Sequence, residues 1–176
     1  VMYDWLVNPD IINMIPRHVE RVFVGKKCGH HSMQQADICQ LMVQVALTGK
    51  NIVRLKGGDP AIFARAAEEC DILTQHQIDF AIVPGITAAS GASANAGIPL
   101  THRECAQSVR FITAHLKSVK SSTGELKSLI DEPNWQALVA GANVSACSTN
   151  RETLVFYMGL KRIDIIMQRL KTHGLP

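Results

Sequence analysis

The sequence predicts an α/β protein built on parallel sheet, on three observations. Short β-branched runs recur along the chain, helical periodicity fills the intervals between them, and several runs stop at Gly or Pro. Alternation of this kind is how parallel strands joined by crossover helices read in sequence. Strands are expected at residues 21–24, 51–55, 80–83, 109–113 and 153–157. The second and third are almost continuously apolar, as in strands covered on both faces.

Helices are expected between them. Residues 34–48 place Ile38, Leu41, Met42 and Val45 on one face, and residues 60–75 do the same with Ile62, Phe63, Ala66, Ala67 and Cys70. Ser32 with Gln35 fits a capping box for the first, and Asp59 before Pro60 fits an N-cap with proline at the first helical position for the second. Residues 80–100 are uncharged apart from their flanks, but Pro84, Gly85, Gly91, Gly97 and Pro99 interrupt them. They read as a loop and a small-residue helix, not a membrane span. Residues 117–150 turn polar, with Ser121, Ser122, Thr123 and Gly124 ahead of an amphipathic piece at 135–139, and read as a surface insertion. A last helix at 163–173 runs into Gly174 and Pro176.

Composition narrows the function classes. With 176 residues, 47% apolar and 19% charged, the chain can bury a core in one domain or two small ones. Its 18 Lys and Arg barely exceed its 15 Asp and Glu, and no basic block is interleaved with aromatics, which argues against nucleic acid. Cys28, Cys39, Cys70, Cys105 and Cys147 are odd in number and include no CxxC pair, so neither a disulfide framework nor a zinc site is expected. A reducing, cytoplasmic setting follows. His30 and His31 have no ligand cluster near them in sequence and read as surface residues. No secretory signal pattern follows Val1, and both ends read as cuts.

Three segments carry chemistry. In Arg54-Leu55-Lys56-Gly57-Gly58-Asp59-Pro60 a strand runs directly into two glycines. Glycines at the carboxyl end of a parallel strand let a ligand approach the backbone, at the sheet edge where ligands bind. A tight turn with Asp59 as a cap fits the same residues. Val83-Pro84-Gly85-Ile86-Thr87-Ala88-Ala89-Ser90 repeats the pattern, and fits close packing as well as ligand access. Phe156-Tyr157-Met158-Gly159-Leu160 places a thioether beside a glycine, for a cofactor pocket or for core. Arg54, Arg65 and Arg103 are candidates for binding carboxylates through the guanidinium fork.

Together these segments resemble the tetrapyrrole methylases and, within them, the uroporphyrinogen-III C-methyltransferases. The resemblance rests on Tyr3-Asp4 with Leu6-Val7, Val24-Gly25-Lys26-Lys27 with His31-Ser32, VRLKGGDP at 53–60, VPGITAASG at 83–91, GIPLTHR at 97–103 with AQSV at 106–109, and TLVFYMGL at 153–160. It implies a homodimer of two α/β domains, a parallel-sheet N-terminal domain over residues 1–100 and a mixed-sheet C-terminal domain over 101–176. Both are expected to be incomplete, with the first strand and its glycine-rich loop before Val1 and the last strands after Pro176.

The same resemblance implies S-adenosylmethionine bound between the domains by Gly57, Gly58, Asp59, Ile62, Thr87, Ala88 and Met158. Asp4 matches the proton acceptor, Lys26 the proton donor, and Arg54 an active-site arginine. The reaction implied is C-methylation of uroporphyrinogen III to precorrin-2, on the way to sirohaem and cobalamin-type rings, with no metal. Two alternatives stay open: another methylase of the same fold, and a non-catalytic domain that binds ligand only. The chain departs from the family pattern at Ala64-Arg65-Ala66-Ala67, where a GRGGEE-like run is usual, at Met33 in place of proline, and at Ala36 in place of an acid.

Overall fold

The computed structural model describes residues 1–25, 33–114, 119–120, 126–127, 133–142 and 151–175. The chain divides into two compact units, Val1–Ala88 and Ala89–Pro176, each with its own apolar core.

The first unit holds β1 (Met2–Tyr3), α1 (Pro9–Asn13), β2 (Val22–Phe23), α2 (Gln35–Leu47), β3 (Arg54–Leu55) and α3 (Ala66–Gln75). Its sheet has the order β2-β1-β3 with every pair parallel; Met2 lies opposite both Val22 and Arg54. The central strand therefore comes from the first residues of the chain, and Met2 is only 2% exposed. Met2, Val24, Ile38, Met42, Val43 and Leu73 form the core, and burial of each such side chain contributes about 1.5–3 kcal/mol.

Helix α2 follows its predicted periodicity. At its start Asp37 Oδ2 accepts the Gln34 N–H at 3.1 Å; Ser32, the expected cap, lies outside the described residues. Helix α1 carried no periodic signal, but Asn8 Oδ1 accepts the Asp10 N–H at 2.9 Å and Pro9 takes the first helical position.

Three expectations for the first unit need correction. Helix α3 begins at Ala66 and not at residue 60, because Phe63 (φ 50°) and Arg65 (φ 59°) are left-handed and a right-handed helix cannot start before them. Asp59 therefore does not cap that helix. Residues 80–83 form no strand, and Phe80, Ile82 and Val83 are exposed. An apolar run becomes a strand only where a neighbouring backbone pairs with it. The run before β3 is not covered on both faces either: among the described residues β3 is an edge strand, and Val53 is exposed.

The second unit contains α4 (Ala88–Ala96, from Ala89 onward), β4 (Ala106–Thr113), β5 (Val119–Lys120), β6 (Leu126–Lys127), α5 (Trp135–Ala142), β7 (Arg151–Tyr157) and, after a 3-10 turn at Leu160–Arg162, α6 (Ile163–Thr172). Strands β4 and β7 are parallel, in register from Ala106↔Arg151 to Thr113↔Tyr157, while β5 and β6 pair antiparallel. Its core joins Ala114, Trp135, Leu138, Val139, Ile166 and Leu170, with Trp135 stacked on Phe156 at 6.0 Å. Helix α5 lies inside the stretch expected to be a surface insertion, and its Trp135, Leu138 and Val139 are buried, so this part of the stretch is core; much of the rest lies outside the described residues. Gly174 (φ 100°) ends α6, with Leu175 N–H donating to Leu170 O at 3.0 Å. Among the described residues no helix is long and apolar enough to cross a membrane.

Candidate functional site

Three loops of the first unit converge where its strands end: residues 4–7 after β1, residues 56–63 after β3, and residues 83–87. Glycines set how closely they approach. A Cβ on Gly57 would lie 2.5 Å from the Leu6 carbonyl oxygen, and one on Gly85 would run into the Gly58 carbonyl. Gly58 itself has φ 81°, a left-handed conformation that a side chain disfavours. Asp59 ties two of these loops together. Its Oδ1 accepts the Ala61 N–H at 2.8 Å and its Oδ2 accepts the Gly85 N–H at 3.3 Å. The predicted cap is thus a clamp between turns.

Apolar side chains stand out from these loops into solvent. Leu6, Val83 and Ile86 are each at least three-quarters exposed, an unusual cost for a folded surface unless something covers them. Glycine-lined backbone with projecting apolar groups fits a small ligand that is part polar and part apolar. Thr87 and Ala88 follow at the end of the third loop, and Ile62 donates its N–H to Asp59 O at 3.2 Å.

Beside this shelf lies a charge cluster. Arg54 Nη2 is 2.9 Å from Asp4 Oδ2, Arg54 Nη1 donates to Leu55 O at 2.8 Å, and Arg54 Nε donates to Glu69 Oε1 at 3.3 Å. Glu69 also accepts from Gln35 Nε2 at 2.9 Å and Lys56 Nζ at 3.0 Å. Asp4 Oδ1 accepts the Leu6 N–H at 3.0 Å, which faces the carboxylate toward the first loop. Sequence reasoning found Asp4 and Arg54 but missed Gln35, Lys56 and Glu69. No local signal separates Glu69 from its neighbour: Glu69 stands four residues before Leu73, but Glu68 stands four before Ile72.

The other predicted residues lie elsewhere. Arg65 spends its fork on Glu68, Nε to Oε1 at 2.7 Å and Nη2 to Oε2 at 2.6 Å, at the exposed start of α3. Hydrogen bonding to Glu68 raises its pKa above the ordinary arginine value, so it stays charged. Beneath it, burial pushes up the Cys39 thiol, which contacts the Glu68 carbonyl oxygen at 3.8 Å, and burial raises Cys70 as well. Lys26 lies outside the described residues.

Met158 and Arg103 belong to the second unit. Arg103 sits in the exposed turn before β4. Met158 ends β7 in a left-handed conformation (φ 59°) and is half exposed. It lines a groove of about 730 Å³ with Gly159, Leu160, Ile163 and Met167. Next to it, Tyr157 Oη accepts the Ala89 N–H at 3.1 Å, joining the end of β7 to the first turn of α4.

Comparison with known proteins identifies the family. The family described as Tetrapyrrole (Corrin/Porphyrin) Methylases matches residues 1–176. The chain is 49% identical over 176 residues to the siroheme synthases of Escherichia fergusonii and of Escherichia coli O139:H28, covering all of this chain and 34% of each relative. It thus spans about a third of the length of these curated relatives. Among solved structures, the uroporphyrin-III C-methyl transferase of Thermus thermophilus complexed with S-adenyl homocysteine is similar at TM-score 0.67 and 29% identity, over 98% of this chain and 64% of that one. A cobalt precorrin-4 methyltransferase shares the fold at TM-score 0.72 and 21% identity, over 98% and 63%. With its two α/β units, its parallel strand pairs and its glycine-lined loops, the chain belongs to the tetrapyrrole methylases.

Proposed function

We propose that the chain carries the S-adenosylmethionine-dependent C-methylation of uroporphyrinogen III to precorrin-2. The observation that carries this reading is the placement of the Asp4 carboxylate, held by Arg54, at the edge of the shelf made by Gly57, Gly58 and Asp59. Further support comes from the siroheme synthases at 49% identity and from the Thermus uroporphyrin-III C-methyl transferase crystallised with S-adenyl homocysteine.

When bound, the cofactor supplies an electrophilic methyl group on a sulfonium. The residues proposed to hold it are Gly57, Gly58, Asp59, Ile62, Thr87, Ala88 and Met158. Their task is to hold an electron-rich pyrrole carbon in line with that methyl, a proximity effect worth up to roughly 7–11 kcal/mol in favourable cases. Forming the new carbon–carbon bond would break the methyl–sulfur bond, whose electron pair stays on sulfur, and the ring would then lose a proton. Asp4 takes it, a general-base contribution of about 100-fold to 10,000-fold.

The substrate carries eight carboxylates. Arg65 and Arg103, both exposed, are proposed to meet them, with Arg65 exchanging Glu68 for a substrate carboxylate. Arg54 has protein acceptors on Nε, Nη1 and Nη2, so its proposed part is to orient Asp4. A cytoplasmic homodimer belongs to the same proposal.

The test is methyl transfer from labelled S-adenosylmethionine to uroporphyrinogen III by the full-length protein, unsubstituted and as Asp4→Asn. Formation of precorrin-2 that Asp4→Asn slows by about 100-fold to 10,000-fold supports the reading. Cofactor binding without any methylated product defeats it.

A further inference from the structure

Glu69 is 4% exposed, and no other charged residue among those described is buried as deeply. A carboxylate leaves water only where donors replace it. Here Oε1 accepts from Gln35 of α2 and from Arg54 and Lys56 of the β3 segment, and Oε2 lies 2.9 Å from Lys56 Nζ. A staple between helices and sheet would account for the burial alone. It does not account for the way the three acceptors around Arg54 are distributed.

A guanidinium is planar, so three acceptors define both its plane and its rotation. Glu69 takes Nε, Leu55 O takes Nη1, and Nη2 is left directed at Asp4 Oδ2 through a single contact. The other Asp4 oxygen receives a backbone N–H and stays at the loop that borders the glycine shelf. Without Glu69 the fork is free to turn flat onto Asp4 and take both of its oxygens, the bidentate pairing that arginine and carboxylate favour. Clamped in that way, the oxygen at the shelf, which already holds the Leu6 N–H, has no lone pair left to receive a proton.

We propose that Glu69 is a positioning residue for methylation: acting through Arg54, it limits the arginine to one oxygen of Asp4 and leaves the other available as the base. This rests on the function proposed above, and two measurements on the full-length protein separate the two. The first is a kinetic cycle of Glu69→Gln, Asp4→Asn and the double variant. Glu69→Gln is expected to lower kcat by about 10- to 100-fold, a fraction of a general base's worth, with KM for S-adenosylmethionine unchanged. In the Asp4→Asn background it adds almost nothing, because neighbours acting as a unit are not additive. Equal losses in both backgrounds, or a loss confined to KM, overturn the proposal.

The second measurement needs no turnover. The two Arg54 Nη signals in nitrogen-15 spectra are expected to be resolved in the unsubstituted protein. In Glu69→Gln they are expected to change together with the Asp4 carboxylate carbon signal. If both stay in place the proposal fails, whether or not the protein methylates anything. If Glu69→Gln does not fold, Glu69→Asp keeps the charge one methylene short and is read in the same two ways.

Discussion

Asp4 and Arg54 lie fifty residues apart in sequence, yet their side chains meet at 2.9 Å because β1 and β3 are neighbours in register. The pair is mostly buried, with Arg54 10% exposed and Asp4 24%. Removing one partner of such a pair leaves an unmatched charge, at a cost of about 3–5 kcal/mol. Arg54→Ala is therefore expected to lower the unfolding free energy by about that amount in denaturant titration. Arg54→Lys keeps the charge and the fold but cannot serve three acceptors in one plane. It is expected to lose at least about tenfold in methyl transfer, and unchanged turnover would show that the fork geometry is irrelevant.

Gly85 and Gly49 make opposite predictions for the same substitution. A Cβ at Gly85 meets the Gly58 carbonyl, which is backbone and cannot swing away, so Gly85→Ala forces the two loops apart. Overpacking of this kind costs about 1–3 kcal/mol. Binding of S-adenosylhomocysteine, measured by calorimetry, is expected to weaken in parallel. Gly49 has φ 80° with nothing within 4 Å of its Cβ position. Gly49→Ala carries only left-handed strain of about 1–2 kcal/mol and is expected to leave binding unchanged.

The alternation of elements and the glycine motifs were legible because each is local. A helix such as α2 displays its buried face every three to four residues, and Gly57-Gly58-Asp59 announces a turn. The start of α3 was not legible, since the left-handed residues Phe63 and Arg65 carry no mark in sequence. Strand assignment failed at 80–83 for the opposite reason: hydrophobicity is local, but a strand needs a partner elsewhere in the chain. Glu69 was missed because adjacent acids in a helix's first turn fit a solvated N-terminus, and only the fold shows which of the two turns inward.

Cys39 and Cys105 are expected to separate in alkylation. Cys39 is buried and burial raises its pKa above the ordinary 9.0, so its thiolate is scarce and shielded; Cys105 is exposed. Mass-resolved reaction with iodoacetamide is expected to modify Cys105 well before Cys39. The same shift has a stability consequence. Above pH 9.0 the unfolded chain has released the Cys39 proton while the folded chain keeps it. Stability therefore falls as pH rises there, and Cys39→Ala is expected to remove that part of the slope.

Met158 holds a left-handed conformation that costs a non-glycine residue about 1–2 kcal/mol, while its side chain is 56% exposed and gains little from packing. A residue kept in strain without a packing return points to use of its side chain at a site. Met158→Gly relieves the strain and removes the thioether from the groove edge. It is expected to leave the thermal midpoint level or higher, and to weaken S-adenosylhomocysteine binding. A lower midpoint with unchanged binding would mean that Met158 is core after all.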